Sequence, residues 1–210
     1  MQKVLYILSQ TLSIILHPLF MPTYGMILYM MVMQNRLSNL PSLYIWLSII
    51  GTSILTAIIP ISLIFILLKK GQIDSLHIEN SKQRTTPYIY TLICFCFWCY
   101  FLRVTMHLPH IWLFIAIGAT IALAIVMLIN HWWKISAHLT GMGGLLGGIC
   151  SMALFYTMLP SALIISVLII SLLLMYARLY TNAHTPMQVV SGYLLGILCT
   201  FIPNLIIYYA

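Results

Sequence analysis

Seven basic or polar side chains in three short polar stretches are the residues whose types could carry chemistry. They are Lys82, Arg84, Lys134, Ser136, His138, Arg178 and His184. The chain has nine Lys/Arg residues but only two acidic residues, Asp74 and Glu79, and a formal net charge of +7. Cations and imidazoles without matching carboxylates require an anion, and arginine offers phosphate a bidentate fork. The composition therefore favours a phosphate site, and it excludes metal sites that need several carboxylates.

Two of these stretches run directly into predicted helices. Thr185 and Pro186 form an N-cap followed by proline in the first helical turn. His184 then lies just ahead of a helix N-terminus, where backbone N–H groups and the helix dipole favour a phosphate. His138 precedes Thr140 and a glycine-rich helix in the same way.

The rest of the chain indicates a membrane protein. It has 210 residues, of which 62% are hydrophobic and 5% charged. Soluble domains carry roughly 25% charged residues, so a soluble, disordered or disulfide-stapled domain is excluded. The five cysteines fall in apolar runs and are interpreted as small buried hydrophobes. A basic stripe of the kind that binds nucleic acid is not expected.

Seven segments are apolar and long enough to cross a bilayer. They are residues 4–33, 42–68, 88–106, 111–130, 141–158, 161–177 and 188–209. The first contains His17-Pro18 and Pro22, so it is either one bent crossing or two half-crossings, which gives seven or six crossings. His17 is interpreted as part of this kink. No cleaved signal peptide is expected, and the chain is treated as a single integral membrane domain over 1–210.

Three polar clusters, at 69–87, 130–141 and 177–188, lie two predicted spans apart from one another. An even number of crossings returns the chain to the same side. All three clusters are therefore predicted to share one face of the membrane, whether or not the first segment crosses.

These residues resemble the type 2 phosphatidic acid phosphatase superfamily over residues 77 to 195. That family carries three motifs, Lys-x6-Arg-Pro, Pro-Ser-Gly-His and Ser-Arg-x5-His-x3-Asp. The corresponding residues here are His77-x6-Arg84-Thr85, Ile135-Ser136-Ala137-His138 and Ala177-Arg178-x5-His184-x3-Gln188.

The resemblance implies an all-α bundle of six or seven transmembrane helices, with N-terminal helices in 1–68 and a phosphatase-like core in 69–210. It implies hydrolysis of a lipid phosphate monoester or pyrophosphate. His184 would attack phosphorus to give a phosphohistidine, and His138 would protonate the leaving group and then activate water. Arg84, Arg178 and Ser136 would hold the phosphate. No metal or cofactor is implied, and the partners would be the lipid phosphate and membrane lipids.

One departure concerns the nucleophile. Gln188 stands where the family has aspartate. Its amide oxygen can accept from His184 and set the ring tautomer, but it cannot stabilise an imidazolium as a carboxylate does. Asp74 or Glu79 from the first polar cluster is an alternative orienting group.

A second departure concerns the first motif, where His77 replaces lysine and Lys82 or Lys134 would supply the missing cation. These changes leave two other functions open, a catalytically degenerate protein that binds or transports phospholipid and a lipid phosphotransferase. A prokaryotic inner membrane is expected. The positive-inside rule points the site to the cytoplasm, whereas bacterial relatives often face the periplasm.

Overall fold

The computed structural model describes residues 2–36, 41–74, 81–156 and 161–209, and within these ranges it is helical with no strand. The helices are α1 (Gln2–Ile15), α2 (Met21–Arg36), α3 (Ser42–Ser53), α4 (Ile59–Lys69), α5 (Ser81–Tyr100), α6 (His110–Ile129), α7 (Ala137–Phe155), α8 (Ser161–Tyr180) and α9 (Pro186–Tyr209). The all-α prediction is confirmed.

Seven helical stretches of the described residues are long and apolar enough to cross a membrane. They are Gln2–Met33, Ser42–Lys69, Gln83–Thr105, His110–Ile129, Ala137–Phe155, Ser161–Tyr180 and Pro186–Tyr209. Large apolar side chains remain exposed along many of these helices, as expected for surfaces that face lipid. The fold is that of an integral, multi-pass membrane protein.

Three of the stretches contain a short turn of another helical type. A short 3-10 turn at Pro18–Phe20 joins α1 to α2, because Pro18 cannot continue the α-helical hydrogen bonds. The backbone N–H of Leu19 donates to His17 Nδ1 at 3.4 Å and caps this turn. A π-helical turn at Ile54–Ile58 joins α3 to α4, and a second one follows α5 at Phe101–Thr105.

Helices α7 and α9 pack more extensively on each other than any other two described helices. Glycines make this possible. A Cβ on Gly143 would overlap the Tyr193 carbonyl, and a Cβ on Gly196 would overlap the Thr140 carbonyl. Close backbone approach through small residues is the usual way that membrane helices associate. This contact fixes the beginnings of α7 and α9 side by side.

Candidate active site

A cavity of about 1070 Å³ lies where α7 and α9 begin and α8 ends. Its polar lining includes side chains from all three polar clusters and from the bend between α1 and α2: His17, Arg84, Lys134, His138, Arg178 and His184. The three polar clusters therefore meet at one end of the bundle, as the parity of the crossings predicts. Among the described residues, no group of three or more His, Cys, Asp or Glu side chains could hold a metal ion.

The turn between α8 and α9 is what carries His184 into the cavity. Asn182 adopts a left-handed conformation with φ of 53°, which asparagine tolerates better than most residues. The N–H of Asn182 donates to the Leu179 carbonyl at 3.0 Å, and the N–H of Ala183 donates to the Arg178 carbonyl at 3.2 Å. This pair of bonds is a Schellman motif. It ends α8 abruptly and leaves His184 two residues before α9 begins.

Gln188, in the first turn of α9, holds the end of this turn in place. Thr185 N–H donates to Gln188 Oε1 at 3.1 Å, which is the reciprocal half of a capping box at the start of α9. Because a backbone N–H can only donate, the side-chain atom that faces it is the amide oxygen. His184 Nδ1 lies 3.2 Å from that same oxygen and 3.1 Å from the Lys134 carbonyl oxygen. Both groups are acceptors, so Nδ1 carries the proton and Nε2 keeps its lone pair.

The surroundings of His184 also keep the ring uncharged. Burial, followed by the positive charge of Arg178, lowers the pKa of His184 from 6.5 to about 4, while the hydrogen bond to Gln188 raises it and the charge of Lys134 lowers it further. A proton adds to Nε2 only as the pH falls through about 4. The lone pair of His184 is therefore present throughout the neutral range.

His138 is held by a different part of the chain. Its Nε2 lies 3.2 Å from the carbonyl oxygen of Ser13 in α1. A carbonyl can only accept, so Nε2 carries a proton and Nδ1 is the basic nitrogen of the neutral ring. The ring of His17 stands edge-on to that of His138, with centroids 5.3 Å apart. The N-terminal segment thus forms one wall of the site.

Two buried polar atoms of the site have no hydrogen-bond partner among the described residues, Arg178 Nε and Ser136 Oγ. A buried donor without an acceptor is costly, and such groups are rare in folded proteins. Arg178 lines the cavity, so an anion bound there would satisfy its guanidinium. Ser136 is fully buried behind the lining, and its N–H donates to the Gln188 carbonyl at 3.2 Å.

Arg84 connects the first polar cluster to the second. Its Nη1 donates to Asn130 Oδ1 at 3.0 Å, and Asn130 is only 4% exposed. The hydrogen bond holds the start of α5 against the end of α6. Arg84 also lines the cavity, so its charge faces the same space as those of Lys134 and Arg178.

Several predicted residues are not part of this arrangement. His77 and Glu79 lie outside the described residues, and so does the side chain of Lys82, which belongs to the first turn of α5. Asp74 is exposed, and its Oδ2 accepts a 2.8 Å hydrogen bond from Gln83. Its carboxylate is thus engaged by Gln83, and the group that orients His184 in the structure is Gln188.

Sequence reasoning missed three functional features. The sequence indicates only a kink at His17, whereas the structure also places its ring against His138. Asn130 gave no signal, because an amide at a helix end is ordinary. The capping box did have a signal, since Thr185-x-x-Gln188 is the pattern that produces it.

A scan against protein-family models, a search of curated proteins and a search of solved structures each gave no match to this chain.

Proposed function

We propose that this chain is a membrane lipid phosphatase of the type 2 phosphatidic acid phosphatase kind, which hydrolyses a lipid phosphate monoester or pyrophosphate through a phosphohistidine. One observation carries the proposal. His184, with Nε2 unprotonated, shares a cavity with the buried and unpaired Nε of Arg178 and with a second histidine, His138. A nucleophile, a cation for the phosphoryl oxygens and an acid–base group are the three parts that phosphoryl transfer to histidine needs.

In the first half-reaction, His184 Nε2 attacks phosphorus, the N–P bond forms and the P–O bond to the lipid breaks. The lipid phosphate binds with one acidic proton, which passes to Nδ1 of His138, and the leaving alkoxide takes that proton from Nδ1. Arg178, Arg84 and Lys134 hold the phosphoryl oxygens, whose charge is spread more widely in the transition state than in the ground state. The proton on His184 Nδ1 stays hydrogen-bonded to Gln188 and the Lys134 carbonyl as the ring becomes positively charged.

In the second half-reaction, His138 takes a proton from water as the water oxygen attacks the phosphohistidine. The N–P bond breaks, inorganic phosphate leaves with the proton that His138 took from water, and both histidines return to their neutral forms. Nδ1 is the nitrogen of His138 that can accept this proton, because Nε2 already donates to Ser13. A prokaryotic inner membrane is the proposed setting, in keeping with a chain whose hydrophilic loops are short.

A second function is favoured by Gln188 itself. An amide sets the tautomer of His184 but does not stabilise the positive ring that forms on phosphorylation. If that loss is decisive, the chain binds lipid phosphates without turning them over. An acceptor other than water would instead make it a lipid phosphotransferase.

Phosphate release by detergent-purified protein from a panel of lipid mono- and diphosphates tests the proposal. His184→Ala is expected to abolish release, whereas His131→Ala, a change at an exposed histidine after α6, is expected to leave it unchanged. An added lipid alcohol competes with water only if the chain is a phosphotransferase. If the wild type binds the panel lipids but releases no phosphate, the proposed hydrolase function is contradicted and the lipid-phosphate-binding function is favoured.

A further inference from the structure

The cavity that holds the candidate site continues far into the bundle. Its lining spans residues 84–98 on α5, 112–126 on α6 and 138–152 on α7. Each range covers 14 residue steps, or about 21 Å at 1.5 Å per residue. The cavity therefore reaches roughly two-thirds of the way through a hydrocarbon core of about 30 Å.

Below its polar mouth, the cavity is lined by apolar side chains. The deepest include Phe95, Trp98, Trp112, Ile115, Ile149 and Met152. Four threonines also line it, and each hydroxyl donates to a backbone carbonyl: Thr91 to Pro87 at 2.8 Å, Thr140 to Ser136 at 3.0 Å, Thr181 to Ala177 at 2.9 Å and Thr200 to Gly144 at 3.0 Å. The hydroxyl protons are thus used within the protein. Apart from the indole N–H of Trp112, which is buried and has no hydrogen-bond partner among the described residues, the deep part of the cavity presents apolar side chains and suits an apolar guest.

The cavity is also open at its side. Tyr6 and Ile14 on α1 and Phe65 on α4 line it while remaining 50%, 62% and 45% exposed. Side chains that both line the cavity and reach the outer surface mark an opening between these two helices. Apolar residues around such an opening are compatible with lipid. A hydrocarbon chain can thus enter from the bilayer without crossing water.

We propose that this cavity binds the hydrocarbon chain of a lipid phosphate inside the bundle, with the phosphate at His184 and Arg178 and the chain end at Trp98 and Trp112. The identity of the phosphate end rests on the proposed function. Charge complementarity at the mouth and an apolar interior select an amphiphilic anion. A fully extended chain advances about 1.2 Å per covalent bond, so a depth of about 21 Å accommodates roughly 16 to 18 carbons.

Ala119 on α6 offers a way to shorten the cavity. It lines the cavity seven residues from Val126, or about 10 Å below the mouth. Ala119→Phe is expected to block the deep half and to leave space for about eight carbons. Ala124→Phe on the same helix is the matched control, since Ala124 is partly exposed and is not among the lining residues.

Hydrolysis of octyl and hexadecyl phosphate measures the effect. Ala119→Phe is expected to lower kcat/KM at least tenfold for the hexadecyl ester and less than twofold for the octyl ester. Ala124→Phe is expected to leave the ratio of kcat/KM for the hexadecyl ester to kcat/KM for the octyl ester unchanged. An unchanged ratio in a folded Ala119→Phe protein would overturn the proposal and leave the phosphatase standing. Ala119→Leu, judged by the same ratio, replaces Ala119→Phe if the latter does not fold.

A binding measurement separates failure of this proposal from failure of the proposed function. Hexadecyl phosphate with a terminal bromine is added to the His184→Ala protein in detergent, and tryptophan fluorescence is recorded. Quenching that is reduced by Trp112→Phe and removed by Ala119→Phe supports binding of the hydrocarbon chain inside the cavity, even if the wild type releases no phosphate. Quenching that neither substitution changes would place the chain outside the bundle and overturn the proposal.

Discussion

The two histidines of the site are held by different kinds of contact. His184 is oriented by groups close to it in sequence or in the neighbouring turn, namely Gln188 four residues later and the Lys134 carbonyl. His138 is oriented by the carbonyl of Ser13, 125 residues earlier, and by the ring of His17. The first arrangement belongs to the ends of α6, α8 and α9, and the second depends on how α1 packs on α8.

This difference indicates which half of the proposed reaction depends on which part of the chain. A capping box and a Schellman turn form wherever α8 and α9 form, so local structure places His184 beside Gln188. Its contact with the Lys134 carbonyl, 50 residues earlier, comes from the turn that follows α6. The position of His138 relative to its partner follows only from packing of the N-terminal helix. Damage to α1 is therefore expected to impair acid–base chemistry at His138 while the nucleophile stays in place.

The largest expected effect distinguishes the two histidines by reaction step. With an aryl phosphate, whose leaving group needs no proton, His184→Ala is expected to lower turnover on the order of 10³-fold or more and to abolish any burst of phenol. His138→Ala is expected to retain the burst and to slow the steady state by about 10²- to 10⁴-fold. Rapid-mixing kinetics measures both. A burst in His184→Ala, or none in His138→Ala, would mean that the roles are assigned wrongly.

The contact that both regions share is α7 against α9. Gly196→Leu is expected to force these helices apart, because any Cβ there overlaps Thr140 and Gly144 backbone atoms, and to destabilise the protein by about 1–3 kcal/mol. Thermal unfolding in detergent measures the change. Gly144→Ala is the control, since its Cβ would meet only Thr200 Cγ2 at 3.6 Å. Equal stability of the two variants would contradict the packing argument.

A smaller effect is expected from the N-terminal helix. Ser13 is 4% exposed, so Ser13→Leu should push α1 away and remove the hydrogen bond from His138 to the Ser13 carbonyl. We expect kcat to fall about tenfold, equivalent to ~1.4 kcal/mol, whereas His184 should still become labelled by the phosphoryl group of the substrate. Thr11→Leu, at an exposed position of the same helix, should have no effect. Loss of His184 labelling in Ser13→Leu would show that the two regions are not independent.

The smallest expected effect is a shift in pH dependence. Gln188→Glu keeps the capping box but adds a carboxylate beside His184, which raises the pKa of His184 from about 4. Because loss of the lone pair then begins at higher pH, the acid limb of kcat/KM should move upward by about one unit or more. Gln188→Met, which removes the acceptor, is the contrasting variant. An acid limb that does not move in Gln188→Glu would show that another group sets it.

Much of the candidate site follows from the sequence because parity and local motifs determine it. Two crossings separate successive polar clusters, so Arg84, Lys134 and His184 had to reach one end of the bundle. Gln188 follows His184 by one helical turn, so the contact between the two side chains could be predicted. The pairing of His17 with His138 could not, since it depends on the bend at Pro18 and on the packing of a helix remote in sequence.

The most direct test of the central claim is to trap and locate the phosphoenzyme. Purified protein is mixed with a lipid phosphate labelled in its phosphoryl group, quenched under alkaline conditions that preserve phosphohistidine, and mapped by mass spectrometry. The account predicts label on His184 that disappears as inorganic phosphate is released, and no label in His184→Ala. Phosphate release with the label on another residue, or undiminished release by His184→Ala, would contradict it.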